Sequence, residues 1–171
     1  MPKDKTALLS LVLLLSPQPH AWTQYPPPAL VGSTLGQDLR NAANATQNQL
    51  NLVRTAADDW RRRADSVGYA DANLRRDLDN IQWSFQGLRT QFNWLGQLAL
   101  QLGRPTANNA VAELDAGLNI IAELFVFLGD RYAAGSIDRA TVARTARAFQ
   151  NAMAAWEQEF RQNSSRLGLA W

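Results

Sequence analysis

The sequence predicts an all-α protein, an antiparallel up-down-up-down four-helix bundle with coiled-coil-like heptad packing, and three observations carry that prediction. Four successive stretches place apolar residues at alternating steps of three and four, the spacing that draws one continuous stripe along a helix. No Asp, Glu, Lys, Arg or His interrupts those stripes, so each suits a shared interior. A glycine, in turn Gly68, Gly103, Gly135 and Gly168, follows each stripe closely, where a helix commonly ends in a left-handed residue.

The first stripe, Leu35, Leu39, Ala42, Thr46, Leu50, Val53, Ala57, Trp60, Ala64 and Val67, predicts a helix over 33–67. Its two successive steps of four about Thr46 form a stutter, which locally unwinds a supercoil. The second runs without a break through Leu74, Leu78, Ile81, Phe85, Leu88, Phe92, Leu95, Ala99 and Leu102, predicting a helix over 72–102. Val111, Leu114, Leu118, Ile121, Phe125, Leu128 and Tyr132 predict the third over 107–133, with Thr106 as its N-cap after Pro105. The fourth, over 138–167, carries Val142, Ala146, Phe149, Met153, Trp156, Phe160, Asn163 and Leu167. Asp138 suits its N-cap, and Ile137 is placed to staple onto Val142. The glycines recur roughly every 34 residues, near the tetratricopeptide period, but that repeat packs two short helices per unit, and here one long helix fills the interval. The connections are short, so consecutive helices must run antiparallel.

Ahead of the single bundle domain at 33–171, residues 1–21 read as a cleaved secretory signal peptide: Lys3 and Lys5, then the apolar run TALLSLVLLLS, then SPQPHA. That run is too short for a membrane span, which needs about 20 residues, so no stable span is expected after cleavage. Cleavage is expected after Ala21, with a site near Ala29 as the alternative; a buried N-terminal helix is the competing reading. Residues 22–32, including the TQYPPPA stretch, form a proline-rich extended spacer. The expected location is secreted or periplasmic.

Loss of the leader narrows the chemistry. Both lysines and the one histidine, His20, lie at or before position 20, and the chain has no cysteine. From Trp22 onward, 17 basic residues less Lys3 and Lys5 leave 15 Arg, and 15 acids less Asp4 leave 14, a net charge of +1 that does not suggest a nucleic-acid partner. Without His or Cys there is no Ser-His-Asp or Cys-His nucleophile, no ordinary zinc site and no histidine-bearing di-iron site. Without Lys there is no Schiff base and no phosphate-binding P-loop. The chain is therefore not expected to be an enzyme or to hold a cofactor. A catalytic alternative would rest on carboxylates alone, and Glu113, Asp115, Glu123, Glu157 and Glu159 all fall outside the inward stripes.

Two surfaces remain as candidates. Arg61, Arg62, Arg63, Arg75 and Arg76 form the densest basic patch, expected to be a solvated, salt-bridged helix end, with a phosphate or anionic-lipid site as the alternative. With a and d denoting the inward heptad positions, Trp83 falls at f and Trp94 at c, where side chains should face water, with Leu98 at g beside them. Ile120 and Phe127 fall at c on the third helix, with Leu124 at g. Exposed apolar area of that kind marks partner surfaces; a covering by the C-terminal LGLAW, by the prolines near Tyr25 or by a neighbouring helix is the alternative. Trp60 and Trp156 lie on the inward stripes and are expected in the core. Trp94-Leu95-Gly96 spells the W-x-G tripeptide that marks the turn of small helical hairpins exported by type VII secretion, but here it falls in mid-helix and assigns no family. The function expected is an envelope structural element or protein-interaction module that docks an unknown protein partner, or a second copy, through the aromatic helix face. A carrier of a small apolar ligand in the core, and an enzyme using surface carboxylates, are the alternatives.

Overall fold

The computed structural model describes residues 34–67 and 72–169; the expected leader at 1–21, the spacer at 22–32 and Gly68 lie outside them. Four helices account for almost all of the described chain: α1 (Leu35–Val67), α2 (Ala72–Leu100), α3 (Pro105–Ala133) and α4 (Arg139–Gln162), with no strand among the described residues. Each packs on its neighbours in a ring, α1 on α2, α2 on α3, α3 on α4 and α4 on α1. Contacts across every seam run in opposite register: Trp60 meets Leu74 while Gln49 meets Ser84, and Leu114 meets Trp156 while Phe125 meets Phe149. The result is the antiparallel four-helix bundle that the stripes predict.

Almost every residue of the stripes is enclosed, Leu35, Val111, Leu102 and Tyr132 lying half-buried at stripe ends. Ala107 and Ala110 extend the third stripe into the first turns of α3. The interior is organised by aromatic rings. Phe125 lies between Phe85 and Phe149 at centroid distances of 5.3 and 5.2 Å, and Trp156 stacks on Phe160 at 5.3 Å while presenting an edge to Phe92 at 5.6 Å. These are tilted, offset or edge contacts of the kind that adds to simple burial. Both core indoles also donate to a carbonyl on the facing helix: Trp60 Nε1 to Leu74 O at 3.0 Å, and Trp156 Nε1 to Leu114 O at 2.8 Å. Thr46, at the stutter, is fully buried and returns its hydroxyl to Ala42 O at 2.8 Å, so the polar group inside α1 is satisfied within its own helix. Asp38, in the first turn of α1, has its Oδ1 enclosed with no hydrogen-bond partner among the described residues.

The helix ends follow local chemistry. Asp138 caps α4, its carboxylate accepting from the Thr141 N–H at 2.7 Å and from the Thr141 hydroxyl at 2.9 Å, and Ile137 packs against the core. The expected N-cap at Thr106 is incorrect. α3 begins at Pro105 with Arg104 in the cap position and no side-chain cap, because proline presets the first helical φ and has no N–H to satisfy. Gly135 takes φ +62° after α3, with Ser136 N donating to Arg131 O at 3.0 Å and Gly135 N to Tyr132 O at 3.1 Å, the paired bonds of a Schellman ending. α4 closes earlier than the 138–167 expected. Its regular helix stops at Gln162 and passes into turns that keep Leu167 buried. Gly168 at φ +81° then brings the chain so close to Leu102 that a Cβ would lie 2.5 Å from it. α2 likewise ends at Leu100 rather than 102, its last turn tightened by Leu102 N to Ala99 O and Gly103 N to Leu100 O.

Gly117 separates the two senses in which helical glycine matters. A Cβ there would stand 2.8 Å from Trp156 Cδ1, a ring already fixed on two sides, whereas at Gly129 it would meet nothing within 4 Å. Gly117→Ala is expected to cost roughly 1–2 kcal/mol net, because overpacking outweighs the gain in helix propensity. Gly129→Ala is expected to add about 0.5–1 kcal/mol; urea unfolding of the two variants should move the midpoint in opposite directions.

The cap at α4 sets an acid limit. The Thr141 N–H, and next the Thr141 hydroxyl, hold the Asp138 carboxyl below the ordinary aspartate value. A carboxylate depressed on folding stabilises above its unfolded pKa, and that contribution disappears as pH falls through the lower folded value. The Tm gap between the native protein and Asp138→Ala should therefore be widest at neutral pH and close as pH drops below the ordinary aspartate range.

Candidate functional site

The cross-helix contacts show which flank of each helix is covered. On α2, the c/g flank meets α1, since Gly87 lies under the Gln49 side chain, and the e flank meets α3, where Arg89 bonds Asn119 and Arg75 reaches Gly129 O. On α3, the c/g flank turns toward α4, where Gly117 admits Trp156 and Glu113 pairs with Arg166.

These flanks separate the expected aromatic face into parts. Trp83 at f points straight away from the core and is 82% exposed. Trp94 and Leu98, expected to face water, are instead half-buried and packed against the core. Trp94 lies one heptad beyond Gly87, on the flank that α1 covers, so the stacking of Trp83 over Trp94 as one outward surface does not occur. Ile120 at 60% and Phe127 at 42% exposure lie on the α3 flank toward α4, away from Trp83. Half-buried Leu124 lies between them in the stripe, and exposed Val126 adjoins Phe127. Across the seam, α4 offers alanines, Ala148, Ala152 and Ala155, at its matching c and g positions. Arg131 lays its guanidinium 5.3 Å from the Phe127 ring centroid and borders this area.

The arginine patch also comes apart. Arg62 pairs with Asp59, Arg63 with Asp77 across the α1–α2 seam, and Arg75 with Asp79 while its guanidinium lies 5.5 Å over the Tyr132 ring. Arg76 is exposed and has no partner among the described residues. Arg61 turns to the other side, toward α4. There it lines a cleft of about 60 Å³ with Ala64, Asp65, Arg139, Val142, Ala143 and Arg147.

That cleft ends a polar seam between α1 and α4. Glu157, one of the acids expected on the surface, is only 8% exposed and is held by Arg54 of α1 and Arg161 of α4. One heptad back along α4, Gln150 donates its amide to Asp58. A void of about 20 Å³ lies among Ala57, Trp60, Leu78, Ile81 and Phe149 in the core, room for about one water. Among the described residues, no three acidic side chains converge as metal ligands, and no helix is long and apolar enough to cross a membrane.

No known family model matches the chain, and no curated protein or solved structure is significantly similar to it. Its surfaces therefore have to be read from their own chemistry.

Glu157 provides a direct check on the polar seam. Arg54→Met or Arg161→Met alone leaves it one guanidinium and should cost less than about 1 kcal/mol. The double replacement strands a nearly enclosed carboxylate and should cost roughly 1–3 kcal/mol, more than the two single losses added together, in urea unfolding at neutral pH.

Proposed function

We propose that this protein acts by binding, as an envelope structural element or secreted interaction module, and that it docks a partner helix on the outer face of α3 where that face meets α4. One observation carries the reading. The inward stripe of α3 is already buried, yet the flank toward α4 also leaves Ile120 and Phe127 exposed, one heptad apart. Burying the core stripe does not require these two side chains, and water disfavours them. Large residues on α3 opposite alanines on α4 leave a shallow trough, a shape suited to an apolar helix laid along it. Trp83, remote from that trough, is a separate anchor rather than part of the same surface. A location outside the cytoplasm rests on the order of charged, apolar and small-residue segments at the start of the sequence.

Ile120→Ser combined with Phe127→Ser should leave the protein folded with Tm lowered by no more than about 5 °C, because both side chains lie at the surface outside the core stripe. The same variant should lose self-association in sedimentation velocity, or the partner retained on purification from the native host. The proposal fails if the variant keeps that association, or if the native protein is monomeric and retains no partner. Unfolding of the variant would make the two residues structural and overturn it as well.

A further inference from the structure

The outer edge of the seam between α1 and α4 is polar. It carries an ion pair between Arg54 and Glu157 and, one α4 heptad nearer the start of that helix, a hydrogen bond from Gln150 to Asp58. Still nearer the start of α4, the next e position is Ala143, which supplies only a methyl group. Beside it opens the cleft of about 60 Å³, which Arg61 of α1 also lines.

Instead of an acid, two further guanidiniums border that space. Arg139 and Arg147 line the same cleft, and neither they nor Arg61 make an ion pair or hydrogen bond to a described residue. Among the described residues, Asp65 is the acid that lines the cleft with them, and the neighbouring carboxylates turn to other partners. Asp58 is bound by Gln150, and Asp138 is committed to Thr141 with Arg144 nearby. Asp65 lines the cleft but pairs with none of the three. Around a pocket floored by Ala64, Val142 and Ala143, the lining itself holds three guanidiniums and one carboxylate, a local excess of positive charge that favours an anion. Guanidinium forks match tetrahedral or planar oxyanions in pairs of parallel hydrogen bonds.

We infer that Arg61, Arg139 and Arg147 form a binding site for a phosphate-class oxyanion in this cleft. The cleft admits a single small tetrahedral group, free or at the end of a larger molecule such as a lipid headgroup. The site lies on the opposite flank of α4 from the α3 trough and does not depend on it.

Inorganic phosphate, compared with sodium chloride at matched ionic strength, should raise Tm by roughly 3–6 °C once it is about tenfold above its dissociation constant. Arg139→Gln with Arg147→Gln should lose that rise, while Arg104→Gln, outside the seam, should keep it. Ala143→Glu should place a carboxylate inside the cleft, unfold no earlier than the native protein in phosphate-free buffer, and no longer respond to phosphate. Flotation with vesicles of phosphatidylglycerol and phosphatidylcholine separates the sources. Vesicle binding that phosphate competes away and the double glutamine variant lacks assigns a lipid headgroup, and a response to phosphate alone assigns a free oxyanion. A native protein that responds equally to phosphate and chloride and ignores vesicles overturns the inference, as does a full phosphate response in Ala143→Glu.

Discussion

The indole of Trp156 has to lie where α3 offers no side chain. It enters the space left by Gly117, reaches Leu114 O through its N–H, stacks on Phe160 and makes a T-shaped contact with Phe92 of α2. A ring held on four sides has little freedom to accept a different spacing between α3 and α4, because interiors at crystal-like density transmit displacement instead of absorbing it. Trp60 performs the corresponding task between α1 and α2, with its N–H on Leu74 O. Each hairpin is thus fixed in register by one buried tryptophan. The Phe85, Phe125 and Phe149 rings then join the hairpins through the centre.

With register fixed in this way, the flanks of the helices differ sharply in character. α1 meets α2 and α4 through charged and amide side chains at the edges of an apolar centre. α3 meets α4 through small residues and apolar ones that run on to the surface. Burial alone explains the centre of every helix, at about 25 cal/mol per Å² of apolar area removed from water. It does not explain Ile120 or Phe127, nor a guanidinium cluster facing a methyl group. Those are the places where stability and sequence diverge.

Much of the bundle was legible in the sequence, because at a and d positions heptad register alone decides burial. The endings at Gly103, Gly135 and Gly168 and the Asp138 cap were legible for equally local reasons. Trp94 was misplaced because c positions are decided by a neighbouring helix; Gly87, one heptad earlier on the same flank, was the available signal that α1 comes close. Thr106 lost to Pro105 in a competition between a side-chain cap and a preset backbone. Glu157 looked like a surface acid because its heptad position borders the core without lying in it. The arginine patch failed for a different reason: Arg61, Arg62 and Arg63 adjoin in sequence, yet a helix turns each through about 100° and sends them to different seams. What groups Arg61 with Arg139 and Arg147 is the packing of α1 against α4, which brings residues far apart in sequence to one cleft.

α4 is the element on which both surfaces meet. Its c/g flank carries the alanines that shape the trough beside Ile120 and Phe127, while its e/b flank carries Glu157, Gln150, Ala143 and Arg147 toward α1. The core stripe of α4, from Val142 to Phe160, separates the two flanks and is buried throughout. An anion in the cleft would touch only the first three turns of α4, from Arg139 to Arg147, whereas the proposed trough lies farther along, level with Ala148 to Ala155. Coupling between them would need α4 to move as a body. Trp156 in the Gly117 space opposes such a movement, so occupancy of one surface should leave the geometry of the other unchanged.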